Sequence, residues 1–245
     1  MVKTPELLPG ERFDDLNCKG YHVIQNPDSF CFGIDAVLLA NFAKAKPGKR
    51  VLDLCTGSAV IPILMAAKTQ AARFDALELN EEVANRAKRS VIANELENRV
   101  YITQGDVKDA KTLYGNQSID VITVNPPYMP AETGLHNPND DKNMARHEIF
   151  CSLEDIIYQS SYLLKEKGTF YMVHRPTRLA EIFHFMIKYH IQPKRMKLVQ
   201  PYVDKEPNMV LIEGIKGGGS QLNVETPLII YNKDGSYTDD VPKDE

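Results

Sequence analysis

The chain has 245 residues, 43% of them apolar and 25% charged. That is the profile of a soluble globular protein of one or two domains, and it excludes a wholly disordered chain, collagen or a pure coiled coil. Lys plus Arg is 29 against 33 Asp plus Glu, a formal charge of −4; with no global basic field, a nucleic-acid partner would have to meet a local patch.

Residues 1–30 are polar and irregular, punctuated by Pro5, Pro9, Gly10, Gly20 and Pro27. Ala36, Leu38, Leu39, Phe42 and Ala43 predict a short helix over 35–44, capped by Asp35 and ended by Pro47 and Gly48. An alternation follows. Strands are predicted at 50–54, 74–79, 100–103, 119–124 and 168–173. Helices are predicted at 61–68, 81–94, 153–164 and 176–189, with a weak helical stretch after 103. This spacing means βαβ units and a parallel sheet covered on both faces. The last third differs: strands at 196–199 and 209–215 have no good helix between them, as an antiparallel edge requires. Gly217 to Gly219 form a flexible joint, and 228–231 and 236–241 predict a terminal hairpin around Asn232-Lys233-Asp234-Gly235. The expected organisation is an N-terminal segment (1–30), an α/β domain (31–216) and a C-terminal joint with hairpin (217–245).

The four cysteines, Cys18, Cys31, Cys55 and Cys151, make no C-x-x-C pair and fit no common zinc spacing. They suit a reducing cytosol. The most apolar run, residues 60–67, contains Pro62 and is too short to span a bilayer. The N-terminus carries no secretory pattern. The expectation is a cytoplasmic protein with no metal and no membrane partner; oligomeric state is not legible.

Two strand ends carry chemistry. Val51-Leu52-Asp53-Leu54-Cys55-Thr56-Gly57-Ser58-Ala59 runs from a strand into a helix, where doubly wound sheets bind ligands. Gly57 permits a sharp turn and close approach. Glu78 ends the next strand, where a carboxylate accepts hydrogen bonds from ribose hydroxyls; Asp106 follows the third strand, within reach of an adenine amine. Ala59 stands at the second glycine position of G-x-G-x-x-G and Ile63 fails at the third. That argues against NAD and for a cofactor without phosphate. Asp53 would repel phosphate and could hold an ammonium group, directly or through water.

Asn125-Pro126-Pro127-Tyr128 follows the strand at 119–124. The prolines fix the turn and lack N–H groups. Asn125 Oδ1 and the Pro126 carbonyl can then accept both protons of one NH₂ group, with Tyr128 as a flat face beside them. An exocyclic amine is a poor nucleophile because its lone pair is delocalised. Two such acceptors favour the pyramidal nitrogen of the transition state.

Together these residues resemble the class I S-adenosylmethionine-dependent methyltransferases that act on a planar amino nitrogen. Within them the chain is most similar to the bacterial enzymes that methylate N6 of adenine 37, beside the anticodon of a valine tRNA. The resemblance spans residues 12–216 and rests on Phe32-Gly33-Ile34-Asp35-Ala36-Val37-Leu38-Leu39, Asn125-Pro126-Pro127-Tyr128, Asn137-Pro138-Asn139, Ala145-Arg146-His147-Glu148 and Lys194-Arg195-Met196. It implies a Rossmann-like fold with a seven-stranded, mostly parallel sheet, one antiparallel strand and helices on both faces. It implies S-adenosyl-L-methionine as cofactor and tRNA as substrate. Asp53 and Gly57 would then line the methionine end of the cofactor, Glu78 its ribose and Asp106 its adenine. Gly33 and Asp35 would close the pocket, and Asn125 would line it too, with Asn125, Pro126 and Tyr128 catalytic. A glycine is usual where Ala59 stands, so the methyl is expected to narrow the cofactor loop.

Arg146, His147, Lys194, Arg195 and Lys197 are candidate RNA contacts; for the basic run a solvated face is an equal reading, and for His147 a structural role. His174-Arg175 ends a strand as either a phosphate contact or surface. Three rivals are weighed. The first is a glutamine methyltransferase acting on a release factor; those enzymes carry a helical domain ahead of the cofactor domain, for which residues 1–52 leave little room. The others are a non-catalytic RNA-binding or cofactor-sensing protein on this fold, and an NAD-dependent oxidoreductase.

Overall fold

In the computed structural model the described residues are 5–28, 31–127 and 151–241. The first segment, expected to be irregular, holds β1 (Arg12–Asp15) and β2 (His22–Gln25), paired antiparallel. Helix α3 (Glu81–Ala93) fixes this hairpin. Asn94, at the end of α3, bonds the His22 backbone in both directions, and Ser90 Oγ accepts from the Ile24 N–H. Arg86 and Arg89 grip Glu11, whose buried carboxyl is held down at about 2 chiefly by the Arg89 hydrogen bond. Leu16, Cys18 and Val23 enter the core.

Helix α1 (Ile34–Phe42) begins at Gly33 and not at a capping Asp35. Asp35 lies in the first turn, where its Oδ1 accepts from the Ala36 N–H. The alternation then proceeds as its hydrophobic pattern demands: β3 (Arg50–Leu54), α2 (Val60–Lys68), β4 (Arg73–Glu78), α3, β5 (Val100–Gln104), the short α4 (Ala110–Tyr114), β6 (Ile119–Val124), α5 (Leu153–Leu163), β7 (Leu164–His174) and α6 (Leu179–Lys188). Helix α6 is shorter than predicted because Pro176–Arg178 form a separate 3₁₀ turn. Strand β7 starts early, straight from α5; Gly168 is needed there because a Cβ would lie 2.9 Å from the Lys165 carbonyl oxygen.

β8 (Ile191–Gln200), β9 (Met209–Lys216) and β10 (Asn223–Ile229) complete the sheet, in the order β10-β8-β9-β7-β6-β3-β4-β5. Among the described residues the sheet therefore has eight strands, one more than expected, with β9 antiparallel to both its neighbours. The extra strand is β10. It pairs parallel with β8, and the predicted terminal hairpin shrinks to one antiparallel bridge, Tyr231 to Tyr237. Pro227 sits at an irregularity on this edge strand, between Glu225 and Leu228.

The sheet separates two cores. Val51, Val121 and Tyr171 face the layer of α1, α2 and α3, while Leu52, Ile122 and Phe170 face that of α5 and α6. Chain progress reverses at β3: β4 and β5 lie to one side, β6 to the other. The carboxyl ends of β3 and β6 are therefore neighbours at a topological switch point, with Leu54 opposite Val124.

Candidate active site

Residues 55–59 leave β3 in an unusual sequence of conformations. Cys55, Gly57 and Ala59 all have positive φ, at 58°, 57° and 65°. At Gly57 a Cβ would meet nothing within 4 Å, so the loop opens there on clear space. Glu78 holds the loop in this shape. Its Oε2 accepts from Gly57 N–H at 2.9 Å and its Oε1 from Asn80 N–H at 3.0 Å. The Thr56 N–H donates to the Leu77 carbonyl, and Gly105 N–H to that of Glu78. Three strand ends are thus laced together. Ala59 caps α2 from a left-handed conformation and is completely buried in the α1–α2 core. Its methyl packs inward and does not narrow the loop.

Asp53 lies beneath the loop and is fully buried. Its Oδ1 accepts from Thr123 Oγ1 at 2.6 Å, across the β3–β6 register. Burial pushes this carboxyl up to about 7, against the Thr123 hydrogen bond. Thr56 is close enough to oppose burial too, yet neither Asp53 Oδ2 nor Thr56 Oγ1 completes a hydrogen bond. Sequence reasoning missed both threonines, since single hydroxyls carry no pattern.

This buried acid has a measurable consequence. Its folded-state value lies above its unfolded one, so the stability it contributes is present at acid pH and lost as pH rises through about 7. His174, pushed down to about 4 by burial, has the opposite slope, since its contribution is fully present above the unfolded value and lost as pH falls through about 4. Comparison with Asp53→Asn cancels the histidine. Between pH 5 and 7.5 the cofactor-free wild type should lose about 2 kcal/mol of unfolding free energy relative to that variant, at roughly 1.4 kcal/mol per pH unit. Parallel urea-denaturation curves across this range would show that Asp53 carries no proton.

Asp106 caps a 3₁₀ turn at the end of β5, its Oδ1 accepting from the Lys108 N–H at 2.8 Å. Gly33 and Asp35 stand at the start of α1, which packs on α2 and β7. Asn125, Pro126 and Pro127 follow β6 directly, one residue beyond the Leu54–Val124 pair. The Gly57 loop and the Asn-Pro turn thus leave neighbouring strand ends side by side. Tyr128, Arg146 and His147 lie outside the described residues, as do Asn137-Pro138-Asn139 and Ala145 to Glu148.

The basic run is spread along β8 and not gathered beside the Asn-Pro turn, although the sheet register sets Lys197 level with Asn125. Lys194, Arg195 and Lys197 lie along β8, three strands from β6. Arg195 bonds Glu213, Glu225 and the Phe42 carbonyl, and its guanidinium lies 3.7 Å over the Phe42 ring. Lys197 pairs with Glu225, and Lys194 donates to the Gly219 carbonyl. These contacts tie β8 to β9, β10 and α1. His174 does end β7 at the active edge; its Nδ1 accepts from the Arg175 N–H, which leaves the neutral ring's proton on Nε2.

The groups present fit a nucleoside cofactor without phosphate: a glycine cradle open above Gly57, a fixed carboxylate at Glu78 and orphaned polar atoms at Asp53 and Thr56. Among the described residues no acid, histidine and cysteine cluster could hold a metal, and no helix is long and apolar enough to cross a membrane.

Residues 23–188 match the family model described as methyltransferase small domain. A tRNA1(Val) (adenine(37)-N6)-methyltransferase of Porphyromonas gingivalis is 30% identical over 206 residues, 82% of this chain and 80% of the relative. The like-named protein of Aeromonas salmonicida is 29% identical over 223 residues, 90% of this chain and 91% of its own. Among solved structures, one described as a predicted O-methyltransferase from Agrobacterium tumefaciens superposes with a TM-score of 0.68 at 22% identity, covering 84% of this chain and 92% of that one. It shares the fold.

Proposed function

The chain belongs to the methyltransferase small domain family, and we propose that it uses S-adenosylmethionine to methylate the N6 amine of adenine 37 in a valine tRNA. The observation that carries this reading is the adjacency of the Gly57 loop and the Asn125-Pro126 turn, set by the β3–β6 pairing. S-adenosylmethionine, when bound, supplies an electrophilic methyl group.

The chain's own residues bind and orient. Glu78 uses one lone pair on each oxygen to fix the backbone and keeps others for ribose hydroxyls. Asp106 faces the adenine amine, and Gly57 leaves room for the ligand's approach. Asp53, protonated or ionised near neutral pH, adjusts its charge to a cationic ligand above it. Gly33 and Asp35 close the pocket from α1. Asn125 Oδ1 and the Pro126 carbonyl accept the two protons of the target amine and hold its nitrogen for an in-line displacement. Tyr128 offers a ring face to the base. One amine proton leaves to water after transfer, so no strong base is needed.

Residues 31–216 form the catalytic unit in this reading. None of the four cysteines forms a disulfide among the described residues, which suits a reducing compartment, and we place the enzyme in the cytoplasm. The test is incubation of the purified protein with labelled S-adenosylmethionine and unmodified valine tRNA, followed by nucleoside mass spectrometry. N6-methyladenosine at position 37 is expected. Label appearing instead on a protein glutamine, or nowhere, would reject the reading.

A further inference from the structure

The carboxyl edge of the sheet carries a second feature, well away from Asn125. Tyr231 and Tyr237 face each other across the antiparallel bridge, their rings stacked at 5.3 Å and 18°. Tyr202 leans on Tyr231 from the β8–β9 connection, at 5.6 Å and 38°. The outer ring is uncovered: Tyr237 is 53% exposed. A recess of about 290 Å³ opens beside Tyr202 and Tyr231, lined also by Val203, Lys233 and Asp240, while the Tyr237 ring lies outside it on the other face of the stack.

The platform is rigid. Asn232 N–H donates to the Ser236 carbonyl, Gly235 N–H to the Asn232 carbonyl, and the Asn232 side-chain amide to the Tyr237 carbonyl. Tyr231 N–H and Ile230 N–H reach back to the carbonyls of Pro201 and Gln200. Ile230 and Val241 anchor the segment in the core.

We propose that this platform is a stacking site for an unpaired nucleobase of the RNA substrate, outside the nucleotide being methylated. The proposal rests on the RNA-methylating reading above. Strands β6, β7, β8 and β10 all end on the edge that holds Asn125, and the β8–β9 connection lies there too. Across the strands, four spacings of about 4.8 Å, roughly 19 Å, lie between Asn125 and the platform, which also stands several residues further along the strand direction. A loop that delivers one base to Asn125 lays neighbouring nucleotides along this edge. Single-stranded RNA is recognised by stacking its splayed bases on aromatic rings, and every base has a face to offer. A two-ring stack with a bare outer face is the start of such a ladder. The recess carries Lys233 against Asp204 and Asp240, so it offers ring faces and not a field for phosphates.

That charge balance makes the test specific. An anticodon stem-loop carrying 2-aminopurine at successive loop positions is titrated with the full-length protein, without cofactor. In the wild type one position outside the target should be quenched on binding, as stacking requires. Tyr237→Ala should abolish that quenching, weaken RNA binding roughly 5- to 100-fold and raise KM with kcat unchanged. The salt slope of binding should stay as in wild type, because no phosphate contact is lost. Tyr237→Phe should restore both quenching and affinity. Unchanged RNA affinity in Tyr237→Ala, with methylation intact, would overturn the stacking site and leave the methyltransferase reading standing. A wild-type protein that neither binds nor methylates the RNA would overturn both.

Discussion

Asn125→Ala should cost roughly 10²–10³ in the rate of methyl transfer and leave S-adenosylmethionine affinity within a few-fold. The magnitude is that of removing one preorganised hydrogen-bond partner from a site of developing charge. The polarity is inverted, since an acceptor acts here on a nucleophile's protons. As the N–C bond forms, the amine nitrogen gains positive character and its protons become stronger donors. The Asn125 interaction therefore strengthens in the transition state, which is the condition for an effect on kcat and not merely on binding. Asn125 stands one residue past the Leu54–Val124 pair, on a turn stiffened by Pro126 and Pro127, so the amide is positioned before substrate arrives. Asn125→Asp retains an acceptor but adds a charge, so alanine is the cleaner substitution. A single-turnover assay at saturating cofactor reads the step; a wild-type rate would reduce the motif to a rigid turn.

Glu78→Ala should act on the other half of the site, weakening S-adenosylmethionine binding roughly 10- to 100-fold. Two losses combine. The ribose loses a charge-assisted acceptor, worth about 1.5–3 kcal/mol. The Gly57 and Asn80 N–H groups, at 2.9 and 3.0 Å from the carboxylate, lose their partner, and the loop loses what fixes its shape. Glu78→Gln is not a neutral control. Its amide has one oxygen for two backbone donors, so its NH₂ would confront an N–H. Both variants should lose affinity in calorimetry, and glutamine affinity equal to wild type would deny Glu78 its bridging role.

How much was legible depended on whether the stabilising contacts were local. From Arg50 to Val124 the central strands bury short apolar runs and α3 an apolar face, so the βαβ order and the strand-end residues Asp53, Glu78 and Asn125 could be read directly. The β1–β2 hairpin could not. Its strands are four residues each, and what holds them is distant in sequence: Glu11 to Arg89, and His22 to Asn94. At β8, a positive φ at His190 and Pro193 within the strand hid the start, leaving Lys194 to Lys197 to read as a basic run. Folding brings Glu213 and Glu225 to Arg195 from two other strands, a pairing with no local signature. At the site, the position of Asp53 was legible but its burial was not, because burial depends on Thr123 and the β3–β6 register.

The central claim is a division of labour at one switch point: the ends of β3 and β4 hold the cofactor, and the end of β6 activates the amine. Its most direct measurement is a paired experiment, cofactor affinity by calorimetry and single-turnover methylation of valine tRNA at saturating cofactor, on Asn125→Ala and Glu78→Ala. The account predicts that the effects separate, with Asn125→Ala losing rate at near-normal affinity. Glu78→Ala should lose affinity while keeping most of its rate once saturated. Equal losses of rate and affinity in both variants would contradict it.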